Sequence, residues 1–370
     1  MKTNPLKKLG TFGQSIWLDY IRRDLIESGA LRDMIEEDGL SGMTSNPAIF
    51  EQAIGESHGY DQAIGALARK GEQVPDIYAT LSQEDVRKAA DVFLPVYEKT
   101  DGRDGFVSLE VNPHLARDTE GTVLEARRLW AALDRPNVLI KVPGTAEGLP
   151  AIRRLLSEGV NVNVTLLFGL ARYRQVAEAY LAGIEARTAR GLAVNHVASV
   201  ASFFVSRIDA HVDPLLESFF GQGAKAADTA RGLHGQVAVA SARLAYQEFK
   251  ETFGGPRFKA LARAGARPQR LLWASTGTKN PAYSDVKYVE ALIGAETVNT
   301  APLETLAAYR DHGDPKPRLE LGVREARRAM VQLNELGIRI DDVAQQLEDA
   351  GVEKFNLPFD QLMAALAQKS

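Results

Sequence analysis

The sequence predicts a (β/α)₈ barrel, and three observations carry that prediction. Over 370 residues, eight short β-rich runs alternate with amphipathic helical stretches. The runs follow one another at intervals of roughly 24–37 residues, enough for one βα unit each, with two longer intervals that leave room for extra helices. Most of the runs also end in polar side chains. An open doubly wound sheet would alternate in the same way, but an ordinary core would not place so many polar groups at the same end of their strands.

In chain order the strands are expected at 15–19 (SIWLD), 39–44 (GLSGMT), 105–110 (GFVSLE), 137–142 (NVLIKV), 160–165 (VNVNVT), 196–202 (HVASVAS), 270–275 (RLLWAS) and 296–300 (ETVNT). Helices are expected at 20–37, 82–98, 119–132, 147–158, 168–188, 205–219, 226–251 and 286–292. The chain reads as a single barrel domain over 1–370, with helical insertions at 47–104 and 207–269 and a helical tail over 319–370. The stretch GQGAKAADTARG, 221–232, is the best candidate for a flexible loop. Its G-x-G does not follow a strand, so it is a weak nucleotide signal.

Composition narrows the function. A quarter of the residues are charged and the formal net charge is −4, which gives no general bias toward nucleic acid or anionic membrane. There is no cysteine, so thiolate chemistry and Cys-ligated metals are excluded. None of the six histidines has a partner at metal-ligand spacing such as H-E-x-x-H, and no metal or other cofactor is expected. The basic run PRFKALARAGARPQR has too few aromatics for a nucleic-acid platform and reads as solvation of a helix and loop. The basic start, MKTNPLKKLG, lacks an apolar core of signal-peptide length, and no apolar run is long enough to span a bilayer. The expected setting is the cytoplasm.

Strand parity selects the candidate site. In NVLIKV, Val138, Ile140 and Val142 share one face, which leaves Lys141 on the other with Leu139. Catalytic groups of such barrels sit at the C-terminal ends of the strands and face inward. The same parity places Asp19, Glu110, Thr165, Ser202 and Ser275 at last inward positions, with Asn163 one layer down and Asn46 just past the second strand. A desolvated amine on a rigid strand can condense with a carbonyl to form a Schiff base. Alternatively, Lys141 makes a structural ion pair with Asp19 or Glu110. Two carboxylates facing one cavity suit a division between general acid and general base, and either could instead be the lysine's counter-ion. Asn46, Asn163, Thr165 and Ser202 offer neutral donors and acceptors to a polyhydroxylated substrate. Arg207 and Lys279, each shortly after a strand end, are the candidate anion holders.

In this order, these residues resemble the transaldolases. The matching pieces are WLDY with Asp19, GMTSNPAIF with Asn46, VSLEVNP with Glu110, LIKVPGT with Lys141, NVNVTLLF with Asn163 and Thr165, and ASFFVSRID with Ser202, Phe204 and Arg207. The insertions, PGTAEGL and WASTGTKNPAYSD resemble the longer bacterial branch, which also occurs fused to a glucose-6-phosphate isomerase. A chain of this length is too short to include that second enzyme. Short-branch members carry a phosphate-binding arginine soon after the seventh strand, whereas the comparable cation here is Lys279 at a different spacing.

The resemblance implies a barrel of the class I aldolase superfamily whose Schiff-base lysine, Lys141, stands on the fourth strand. It implies fructose 6-phosphate or sedoheptulose 7-phosphate as donor of a dihydroxyacetone unit, and erythrose 4-phosphate or glyceraldehyde 3-phosphate as acceptor. Lys141, Asp19, Glu110 and Thr165 become the catalytic set, and Asn46, Asn163, Ser202, Phe204, Arg207, Ser275 and Lys279 the substrate-binding set. The partners expected are small sugar phosphates, with neither nucleic acid nor membrane, and a homodimer is open. The alternatives are a fructose-6-phosphate aldolase or other class I aldolase, a non-catalytic sugar-phosphate-binding barrel and a cofactor-free isomerase. The insertions and tail could cover the active-site mouth or form a subunit contact.

Overall fold

Eight parallel strands close on themselves in sequence order: β1 (Gln14–Asp19), β2 (Gly42–Thr44), β3 (Phe106–Glu110), β4 (Val138–Pro143), β5 (Val162–Leu167), β6 (Ser199–Phe204), β7 (Arg270–Ala274) and β8 (Thr297–Ala301), with β8 pairing back onto β1. This closed barrel is the fold that strand spacing predicts, seen in a computed structural model that describes residues 4–55 and 57–370. Met1–Thr3, at the start of the basic N-terminal segment, and Glu56, within the 47–104 insertion, lie outside the described residues.

Each strand falls where its β-rich run predicts, and the differences are at the ends. The second shrinks to three residues, and the sixth starts three residues later than expected and extends to Phe204. The fifth extends to Leu167 through a register shift between Val164 and Leu167, where Leu166 takes a positive φ of 62°. A bulge of this kind bends a strand and re-aims its side chains.

The lower barrel is packed by inward side chains, among them Trp17, Phe106, Leu139 and Leu272, all buried. On β7 the register with β6 pairs Ser202 with Leu272, so the inward parity is that of Leu272 and Ala274, and Ser275, expected at the last inward position, lies instead past the strand's end. At the N-terminal end Arg270 donates to Ser15 and Asp104, and the Trp17 indole N–H donates to Asp104. Arg270 therefore stands buried in the barrel floor, where the sequence reading expected the basic run to solvate a surface. Pairing supplies the reason, because a buried guanidinium is tolerated when its donors are satisfied. Elsewhere in that run Arg257 behaves as expected, bridging Glu178 and Glu185 on the surface.

The helical expectations need four corrections, the first being that the helix expected at 20–37 is broken at Gly29 into Arg23–Glu27 and Ala30–Asp38. The segment 221–232 is mostly helix, Ala224–Leu233, because AKAADTARGL is rich in good helix formers. The long helix expected at 226–251 is split near Gly235, whose φ of 69° suits a residue without a Cβ, and resumes as Val237–Gly254. Helices at Pro5–Thr11 and Leu303–His312 were not expected, whereas Asp61–Arg69 and Pro256–Arg263 fall within the two expected helical insertions. The tail forms two helices, Val323–Glu335 and Ile340–Lys369.

The last helix crosses the C-terminal mouth of the barrel. Arg172–Glu348 and Arg117–Asp349 ion pairs and a His114–Asp360 hydrogen bond tie it to segments that follow β5, β3 and β3 respectively. Lys369 pairs with Asp61 in the first insertion. Beneath it, a Cβ at Gly351 would stand 3.0 Å from Leu166 Cδ2, so the missing side chain lets the helix approach the bulge of β5 closely.

Candidate active site

At the C-terminal mouth a cleft of about 340 Å³ is lined by Asp19, Asn46, Lys141, Thr165, Ser202, Phe204, Arg207, Ser275 and Lys279. Nine of the eleven site residues expected from sequence therefore share one cavity. Glu110 and Asn163 are the two that do not line it.

Lys141 reaches inward from β4 and is 5% exposed. Its ammonium donates to the Ser45 carbonyl at 2.9 Å and lies 3.4 Å from Glu110 Oε2. The Phe355 ring centroid is 5.8 Å from Nζ, a cation–π distance. The ion pair that sequence reading offered as the lysine's alternative role is thus present, with Glu110 as the partner. It leaves one face of the amine open to the cleft.

Glu110 comes from the adjacent strand, where β3 and β4 pair Glu110 directly with Lys141. Burial pushes its carboxyl up to about 7, against the pull of the Lys141 charge. Neither carboxyl oxygen receives a well-aligned hydrogen bond from a described residue. A group that exchanges protons near neutrality belongs at a site of acid–base chemistry.

Asp19 ends β1 and opens onto the cleft, accepting a hydrogen bond from Thr44 at 2.7 Å. Desolvation raises its pKa, while Lys141, Thr44 and Arg207 oppose the rise. The two carboxylates therefore have different surroundings, one sealed beside the amine and the other hydrogen-bonded in the cleft. Such a contrast separates acid and base roles.

Thr165 is fully buried, and its hydroxyl has no hydrogen-bond partner among the described residues. Asn163 lies deeper: its amide donates to Ser108 Oγ at 3.0 Å and its carbonyl accepts from Ser202 Oγ at 2.6 Å. It is positioned to hold Ser202 rather than to face the cleft. Asn46 caps the short helix Pro47–Phe50 by accepting from the Ile49 N–H, which leaves its amide nitrogen free for another contact. Ser275 lies just beyond β7 with a positive φ of 54°, its hydroxyl 3.0 Å from that of Ser206.

Arg207 enters in the first turn of the helix Ser206–Glu217, stacked over Phe204 at 5.2 Å, with no ion pair among the described residues. Burial disfavours its charge and Asp19 supports it. Lys279 is exposed on the loop after β7 and is also without an ion pair among the described residues. The arrangement provides two cations lining the same cleft as the Lys141 amine.

Sequence reading missed Thr44, Thr300 and Phe355, all of which line the cleft. Thr300 was accessible by the parity argument applied to the eighth strand. Phe355 had no local signal, because it arrives from the C-terminal helix. A separate cavity, also of about 340 Å³, lies toward the N-terminal end around Phe106, Leu139 and Arg270 and contains none of these reactive groups.

A strand-borne amine beside one carboxylate, in a cleft that holds another, at the C-terminal mouth of a closed (β/α)₈ barrel, is an arrangement suited to the chemistry of class I aldolase-type enzymes. The family model for transaldolase/fructose-6-phosphate aldolase matches residues 16–366. A transaldolase of Thiobacillus denitrificans is 50% identical over 98% of this chain and 99% of its own length. A transaldolase of Trichodesmium erythraeum is 48% identical over 100% of the chain and 98% of its own, and one of Saccharopolyspora erythraea 47% identical over 100% and 99%. The chain belongs to the transaldolase/fructose-6-phosphate aldolase family.

Proposed function

We propose that this enzyme is a transaldolase that moves a dihydroxyacetone unit from fructose 6-phosphate or sedoheptulose 7-phosphate to glyceraldehyde 3-phosphate or erythrose 4-phosphate. The observation that carries the reading is the 3.4 Å approach of Glu110 to Lys141 beside a cleft that also holds Asp19. Lys141 Nζ attacks C2 of the ketose phosphate to give a carbinolamine. Glu110, protonated near neutrality, supplies a proton through a water held by Thr165, and the C2 hydroxyl leaves as water to form the iminium. Asp19 takes the C4 hydroxyl proton, the C3–C4 bond breaks into the iminium, and the aldose phosphate departs. The remaining enamine attacks the acceptor carbonyl, whose oxygen regains a proton from Asp19. Hydrolysis of the new iminium returns Lys141.

The other residues bind. Asn46 and Ser202 meet the hydroxyls of the three-carbon unit, with Asn163 holding Ser202 in place. Phe204 carries Arg207, which grips the phosphate, with Lys279 and Ser275 at the same side. The whole chain is read as one barrel domain working on sugar phosphates in the cytoplasm; the lack of any helix apolar and long enough to cross a membrane among the described residues is compatible with that. A homodimer is part of the same reading.

The test is reduction with borohydride in the presence of fructose 6-phosphate, followed by peptide mass spectrometry. A three-carbon adduct on Lys141 is expected, and an adduct elsewhere or none would refute the mechanism. Release of the three-carbon unit to water, as in a fructose-6-phosphate aldolase, is the second reading. Glu110 and the hydroxyl-free ring of Phe204 favour transfer, since the resemblance associates an amide and a tyrosine at these positions with aldolases. Product analysis with and without erythrose 4-phosphate separates the two.

A further inference from the structure

Glu110 borders a second cavity, of about 230 Å³, behind the Schiff-base cleft. Its walls include Tyr78 and Ser82 from the helix Val74–Lys99, Asn112 after β3, and Glu125 and Arg128 from the helix Thr119–Leu133. Glu125 and Arg128 form a two-bonded ion pair, and the Arg128 side chain is 53% exposed, so this end reaches solvent. At the other end both Glu110 oxygens are buried without well-aligned donors among the described residues, while Oε2 is 3.4 Å from the Lys141 amine. The carboxyl group therefore lines the cavity and, through its contact with Lys141, joins it to the cleft that the amine lines.

The chemistry needs such a space. Iminium formation releases one water and hydrolysis consumes one, while the sugar phosphate blocks the open mouth. Phe355 and Phe359, one turn apart on the last helix, line the cleft and the rear cavity respectively, so that helix covers both. The rear volume is large enough for several waters, at about 30 Å³ each in the liquid, and has polar groups to bind them.

We propose that the cavity behind Glu110 is the water and proton reservoir of the imine steps, connecting Glu110 to solvent independently of the substrate mouth. Ser82, Asn112 and Glu125 position its waters, acting through Glu110 and not on the substrate. This inference rests on the Schiff-base reading above. It predicts that filling the cavity slows making and breaking of the imine without changing the amount of imine at equilibrium.

The experiment compares the parent with Ser82→Leu and Ala79→Leu, two separate substitutions that put apolar bulk into the cavity, each checked for a cooperative thermal transition. The first readout is the rate at which fructose 6-phosphate in heavy-oxygen water exchanges its C2 oxygen; the second is the borohydride-trapped adduct at equilibrium. Exchange about tenfold slower, with adduct yield and KM for the aldose acceptor unchanged, is expected from impaired proton and water supply. Exchange at the parent rate in a folded, filled variant would overturn the reservoir. Absence of Lys141-dependent exchange in the parent would instead overturn the Schiff-base reading itself.

Discussion

Glu110 Oε2 and Lys141 Nζ lie 3.4 Å apart on hydrogen-bonded neighbouring strands, and both side chains are nearly sealed from solvent. Pairing partly offsets the cost of burying each charge, but desolvation still dominates at the carboxyl, whose pKa rises from 4.5 to about 7. In the window between those values the native state retains a proton that the unfolded chain has released. The stabilisation associated with this group is therefore fully present below about pH 4.5 and is lost as pH rises through about 7. Glu110→Gln should flatten the pH dependence of the urea midpoint across that window and remove an inflection near neutrality from kcat/KM. An unchanged pair of profiles would assign the inflection to another group.

Asp19 should be separable from imine formation. It faces the cleft and is bonded to Thr44, while Glu110 is the carboxylate beside the amine. Asp19→Asn is expected to keep trapped adduct on Lys141 yet lower C3–C4 cleavage by about 10²–10⁴-fold, the usual contribution of a positioned base. Single-turnover aldose release measures this directly.

The two cations should contribute unequally to phosphate binding. Arg207 is largely enclosed, stacked on Phe204 and free of ion pairs among the described residues, whereas Lys279 is exposed. Arg207→Ala should raise KM for phosphorylated substrates by about tenfold or more, with a smaller effect from Lys279→Ala, because screening weakens exposed charges. Equal effects would show that the loop after β7 closes on the substrate.

The C-terminal helix should influence how the enamine is used. Phe355 is 4% exposed and 5.8 Å from Lys141 Nζ, while Gly351, one turn earlier, is where the helix meets Leu166. Phe355→Ala should admit water to the intermediate and increase donor cleavage without acceptor relative to transfer. Gly351→Leu should have the same direction of effect by lifting the helix. Each is expected to lower Tm, since one opens a cavity and the other overpacks a contact.

Much of the barrel was legible because a strand has only two faces: VLIKVP and VNVTLL are buried throughout, and their parity shows in where Lys141, Asn163 and Thr165 interrupt the apolar residues. The same rule identified Asp19, Glu110, Lys141, Thr165 and Ser202 at strand ends. Helix breaks were less legible. AKAADTARGL reads equally as a small-residue loop or a good helix, and packing decides between them.

By itself, then, the sequence determined the strands, most of the inward set and the chemical types at the mouth, all of which depend on short-range periodicity, whereas closure of the sheet into a barrel and the inward face of β7 came from strand pairing. Tertiary structure decided which carboxylate touches Lys141, tied Asn163 to Ser202, buried Arg270 in the floor and brought Phe355 over the amine. Those outcomes depend on strand register, a bulge at Leu166 and the docking of a distant helix at Gly351. Each is a long-range contact, selected by the shape of the complete core and not by the propensity of any local segment.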